Sequence, residues 1–217
     1  MEFVIDSNQN FYFDKNGYIE FVDFFSNKEF ELLSKCIVSV LKNRLYVPDA
    51  SSYLNGRDLW RDSKDLKRVL LKSGIGKVTS QLIHQKSLRL AADQWIHGGT
   101  AVPLKETLAK SFPFQGTELG IMVAVDNSTL YSIESPIDSP IFPKTSGHTV
   151  FFKGDLAFDF APFASAPAIC SYYLIVVTQA KAVYMLQEND PCTHSLKQLG
   201  YGFGDKLSDV DHPYLIR

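Results

Sequence analysis

The sequence offers little from which a covalent or metal framework could be built. Its three cysteines, Cys36, Cys170 and Cys192, form no C-x-x-C pair, which points to reduced, mostly buried thiols and away from a disulfide frame or zinc knot. Excess charge of one sign is also missing. Lys and Arg number 22 against 24 Asp and Glu, a formal net charge of −2, so no global positive field favours a phosphate backbone and nucleic acid is not the expected partner. Long hydrophobic runs are absent. The opening MEFVIDSNQNFYF turns polar by Asp6 without the basic-then-apolar order of a secretory leader. The longest apolar runs, such as Tyr172 to Val177, fall far short of the roughly 20 residues of a membrane helix. A soluble, cytoplasmic protein with no membrane partner is expected. Gly74-x-Gly76-Lys77 lacks the full spacing of a P-loop, and no G-x-S-x-G elbow occurs.

What is present is aromatic and aliphatic. The chain is 45% hydrophobic and 13% aromatic, with 16 Phe and 10 Tyr, a composition that suits a strand-rich globular protein. Its 217 residues fit a single domain over 1–217, with a mainly helical part over 1–85 that includes a short N-terminal strand, and a β core over 86–217. In FFSNKEFELLSKCIVSVLKNRL, Ser26 and Glu29 are spaced as a capping box, and Phe25 and Phe30 as a hydrophobic staple. Leu33, Ile37, Leu41 and Leu45 then mark one apolar helical face. Asn16-Gly17 reads as a turn before a short strand at Tyr18 to Val22. The more polar stretch from Asp49 to Gln85 predicts one or two short helices, the second starting near Gly76, with alternating charges on a solvated face. From Lys86 the period changes. SLRLAADQWI, TELGIMVAVD, TLYSIES, HTVFFKG, LAFDFAPF and SYYLIVVTQAKAVYML read as strands, the fourth and fifth as a hairpin around Lys153-Gly154-Asp155.

Three stretches, FDKNGYIEFVDFFSNKEFELL, LRLAADQWI and FFKGDLAFDFAPFASAP, together resemble the Fe(II)/2-oxoglutarate dioxygenase superfamily, in its phytanoyl-CoA hydroxylase-like branch. The resemblance implies an α+β double-stranded β-helix (a cupin-like jelly roll) with N-terminal helices packed on one sheet, and Fe(II) and 2-oxoglutarate as cofactors. That family holds iron with His-x-Asp/Glu and a distant second His. Residues i and i+2 of a strand share a face, so both members of the local pair enter the barrel. Here the residues two places after the five histidines are Lys86, Gly99, Val150, Leu196 and Tyr214, none of them a carboxylate. The second His should fall in LAFDFAPF, where Phe158 and Phe160 take the inward positions. No Arg or Lys follows before Lys181 to pair with 2-oxoglutarate. Catalytic, cofactor-binding and metal-ligating residues are therefore expected to be none, and no cofactor is expected to bind.

Asp93, Gln94, His148, Phe158 and Phe160 are the candidates for a residual pocket. Asp93 and Gln94 qualify because polar groups in mid-strand need partners when buried. Cys192-x-His194 and the Asp209, Asp211, His212 group read as turns before they read as metal sites. The function expected is binding of a small ligand or a protein partner without oxygenase activity. Two alternatives stand beside it: an active oxygenase with an atypical metal site drawn from His84, His97 and His148, and a metal-responsive DNA-binding regulator.

Overall fold

The computed structural model describes residues 4–44, 52–126, 139–166 and 170–217. Helix α1, Ser7–Asn16, starts at a capping box in which Asp6 and Gln9 satisfy each other's backbone N–H, and stops at Gly17, whose φ of 79° is readily adopted only by glycine. Strand β1, Tyr18–Phe21, follows directly. Helix α2, Asn27–Asn43, begins at the expected Ser26–Glu29 box and buries Leu33, Cys36, Ile37, Val40 and Leu41 along one face. Leu45 lies outside the described residues, but Phe25 and Phe30 both pack into the same core cluster as α2.

Four short helices come next, where one or two were expected: α3 Ser52–Asn55, α4 Leu59–Asp62, α5 Lys64–Lys72 and α6 Ile75–Ile83. Ser63 caps α5, accepting from Leu66 N, and breaks the run between α4 and α5. The strands are β2 Leu88–His97, β3 Lys105–Glu106, β4 Phe114–Asp126, β5 Thr149–Lys153, β6 Phe158–Asp159, β7 Ser171–Tyr184 and β8 Tyr214–Ile216, with helix α7, Leu108–Ser111, before β4. They form a mixed helix-and-sheet architecture around an antiparallel sheet of order β1-β5-β4-β7-β2-β8, with a separate β3-β6 pair. The expected strand TLYSIES falls outside the described residues. The tail also yields β8, which had no alternating signature and is placed by pairing with β2.

The expected hairpin is not made. Both edges of β5 are already taken, by β1 and by β4, so the chain after Gly154 has no free edge to return along. It crosses instead to β3, with Glu106 opposite Phe158. Gly154 permits the crossing because a Cβ there would lie 2.7 Å from the Thr117 carbonyl oxygen. LAFDFAPF thus contributes only a two-residue strand, and a 3-10 turn, Ala161–Ser165, follows.

Alternation along the strands sorts the core into two layers. Leu119, Ile121, Phe151 and Ile175 join Leu33, Ile37, Leu66 and Val78 on the helix side. Met122, Phe152, Tyr172 and Leu174 face the other way, with Phe142, Phe158, Phe160 and Phe163.

At Gly76 in α6 an added Cβ would fall 2.2 Å from the carbonyl oxygen of Leu215 in β8. Backbone cannot yield as a flexible side chain can, so Gly76→Ala should cost about 1–3 kcal/mol and lower Tm by several degrees in thermal denaturation. Gly202→Ala, whose nearest contact would be Asp205 Oδ2 at 3.5 Å, should leave Tm within about a degree of the parent.

Candidate functional site

The face of the sheet turned away from α1, α2, α4, α5 and α6 is closed by aromatic rings. Phe160 and Phe142 meet edge to face with centroids 5.1 Å apart, Phe142 reaches Tyr172 at 5.2 Å and Phe163 at 5.8 Å, and Phe158 lies 4.9 Å from Phe160. These are the separations aromatic pairs prefer in a dry core. Phe158 and Phe160 are buried while Asp159 between them is exposed and accepts from Ala161 N at 2.8 Å. Tyr172, near the start of β7, lies in the region where the sequence resemblance would put a basic residue. Ile169 lies outside the described residues.

Asp93 and Gln94 do not share a pocket, because neighbours in a strand point to opposite faces. Asp93 is fully buried on the helix side. It accepts from Leu59 N at 2.7 Å, Trp60 N at 2.9 Å and Tyr173 Oη at 2.5 Å, so it caps the first turn of α4 from across the layer. Gln94 faces the other side, where its Oε1 accepts from Arg57 Nε at 2.9 Å and its Nε2 donates to the carbonyls of Tyr53 and Trp95. Arg57 also donates to Tyr53 Oη at 2.8 Å and Asp190 Oδ1 at 2.9 Å, and its guanidinium lies 4.3 Å from the Phe112 ring centroid. Sequence reasoning passed over this ion pair. Its members are 133 residues apart, and only the tertiary fold joins them.

The histidines are dispersed. His84 is exposed at the C-cap of α6 with Asp14 at 4.0 Å. His97 ends β2, and His148 precedes β5 with its Nδ1 2.9 Å from Glu20 Oε1. Since β4 and β7 lie between β5 and β2, His97 and His148 are three strand spacings apart, roughly 14 Å, whereas metal–nitrogen bonds are about 2 Å. His194 is exposed while Cys192 is buried. His212 is buried and donates no metal-directed lone pair: Nδ1 lies 3.0 Å from the Ala91 carbonyl and Nε2 lies 3.4 Å from Arg61 Nη2. A carbonyl only accepts and a guanidinium only donates, so the ring is the neutral tautomer with its proton on Nδ1. Among the described residues no three His, Cys, Asp or Glu side chains converge as metal ligands. The described residues do not fit an iron facial triad.

His148 and Glu20 instead line an open groove of about 1030 Å³ with Tyr12, Tyr18, Phe142 and Lys144. Asp93, Gln94, Phe158 and Phe160 do not line it.

No family model and no curated protein matches this sequence. Solved structures do match. The non-heme alpha ketoglutarate dependent carbocyclase SnoK from nogalamycin biosynthesis superposes with a TM-score of 0.69 at 14% identity, covering 97% of this chain and 96% of that one. The epimerase SnoN, from the same biosynthesis, gives 0.69 at 18% identity over 96% and 97%. CytC3 with Fe(II) and alpha-ketoglutarate gives 0.58 at 14% identity over 96% and 88%. The fold resembles that of the iron/2-oxoglutarate-dependent oxygenases. At these identities the likeness is one of fold. Among the described residues, no helix is long and apolar enough to cross a membrane.

Two buried groups on β2's helix-side and C-terminal contacts give stability opposite dependences on pH. Burial pushes the Asp93 carboxyl up to about 7, with the charge of Asp58 adding to it and its three donors opposing it. Its contribution is complete below the ordinary carboxylate value and is lost as pH rises through about 7. Burial, and then the Arg61 charge, lower His212 to about 4. Its contribution is complete above the ordinary histidine value and is lost as pH falls through about 4. In chemical denaturation, the stability of Asp93→Asn relative to the parent should improve between pH of about 4.5 and 7.5, whatever fixed cost the amide brings. That of His212→Asn should improve as pH falls from about 6.5 to 4.5. Each change should be on the order of 1–3 kcal/mol.

Proposed function

We propose that this chain carries the double-stranded β-helix, or jelly roll, of the oxygenases as one domain over residues 1–217, without their iron chemistry, and acts in the cytoplasm by binding a small ligand or a protein partner. The ring cluster carries this reading. Phe142, Phe158, Phe160, Phe163 and Tyr172 are packed against one another on the face where the sequence resemblance would put the second iron-binding histidine and the 2-oxoglutarate-binding base. Each ring favours burial by roughly 2–3 kcal/mol, so the site has the energetics of a core. The scattered histidines support the same reading, since His84, His97 and His148 sit on separate elements with separate neighbours.

Anaerobic titration of the purified protein with Fe(II), followed by 2-oxoglutarate and oxygen, tests it. The expected result is sub-stoichiometric iron and no succinate above a protein-free control, and one iron per chain with succinate release would overturn the proposal. Truncation gives an independent measure of the interior. Phe160→Ala should cost about 3–5 kcal/mol if the ring belongs to a packed core, and a loss below about 1 kcal/mol would indicate an open cavity there.

A further inference from the structure

The groove at the edge of the sheet is built differently from the interior it adjoins. Glu20 lies opposite Val150 in the β1–β5 pairing, and His148 is two residues before Val150, so Glu20 and His148 share one face and meet diagonally across the two strands. Their contact of 2.9 Å is between Glu20 Oε1 and His148 Nδ1. An ionised carboxylate only accepts, so in the neutral ring the proton resides on Nδ1 and Nε2 is an acceptor. Nε2 has no hydrogen-bond partner among the described residues. Glu20 thereby sets which kind of hydrogen-bonding group a ligand must bring.

The walls supply the rest. Tyr12 from α1 and Tyr18 from β1 stand edge to face with ring centroids 5.9 Å apart and their hydroxyls 3.2 Å from one another. Phe142 lies on the inner side, held by the rings of Phe160, Phe163 and Tyr172. Lys144 adds a cationic side chain to the lining. Aromatic walls favour a planar ring, the Nε2 acceptor favours a hydroxyl donor, and a lysine in the same lining favours a ligand whose oxygen takes on negative charge as it donates. A phenol combines these properties, and the groove is large enough for one or two fused rings.

We propose that the Glu20–His148 groove is a binding site for planar phenols, with His148 Nε2 accepting the phenolic hydroxyl. This rests on the ligand-binding part of the function proposed above and names the class of ligand. It requires no covalent step.

2-Naphthol is the probe and 2-methoxynaphthalene, which has the same rings and no donor, is its partner. Binding to the full chain is followed at pH of about 8 by calorimetry, with amide NMR shifts to locate the site. The wild type should prefer 2-naphthol at least tenfold, with shifts centred on Tyr18, Glu20 and His148. His148→Phe should abolish that preference while keeping the rings' contribution. Glu20→Gln, which allows either imidazole tautomer, should reduce it severalfold, and unchanged melting temperatures would exclude loss of fold as the cause. Equal affinity of the wild type for the two probes, binding unaffected by both substitutions, or no binding would each overturn the proposal. The iron assay reads separately: naphthol binding together with succinate release would keep this site and overturn the non-oxygenase reading, and neither naphthol binding nor succinate would do the reverse.

Discussion

Four rings drawn from three separate segments, Phe142, Phe160 with Phe163, and Tyr172, press together on the inner face of the sheet, and the character of the whole molecule follows from that contact. A dioxygenase-like barrel that holds a metal must keep polar ligands in its interior, and each must be satisfied by the ion or by a partner. Aromatic rings carry no such requirement. Packed against one another between β6 and β7, they stabilise the fold by dispersion and by exclusion of water. The wall they present through Phe142 then becomes one side of an external groove.

Three buried polar side chains, Asp93, Arg57 and Arg89, hold elements of the fold together. Asp93 holds the start of α4 against β2, and Tyr173 secures the carboxylate from the neighbouring strand. Arg57 ties α3, β2 and the segment after β7 together through Tyr53, Gln94 and Asp190. Arg89 does the same for the C-terminal tail, donating to the carbonyls of Ala180 and His212 and stacking on Tyr214 at 3.9 Å. Asp93, Arg57 and Arg89 are each occupied by backbone or by fixed partners, which leaves them little capacity to serve a ligand. His148 differs because its pairing with Glu20 uses only one ring nitrogen.

The sequence by itself determined the elements whose signals are local. The Ser26–Glu29 box and the repeat of Leu33, Ile37 and Leu41 specify α2, because a capping pair and a 3.6-residue period need nothing beyond the segment that carries them. Short apolar or alternating segments rich in β-branched and aromatic residues located β2, β4, β5 and β7 for the same reason, and the missing carboxylate two places after every histidine is a property of the string alone. Helix α1 was legible in principle, from Asp6, Gln9 and Gly17, but only Phe13 is buried along it and the apolar period is too weak to announce it.

Only the tertiary structure decided where the strands go and which side chains meet. Occupied edges on both sides of β5 sent β6 to another sheet, and no residue of the Gly154 turn encodes that occupancy. The placement of Asp93 and Gln94 on opposite faces followed from strand geometry once β2 was paired. The Arg57–Asp190 contact joins positions far apart in the chain, and β8 exists because β2 offers it an edge. Pairing energies of this kind belong to two segments at once, so neither segment read singly can disclose them.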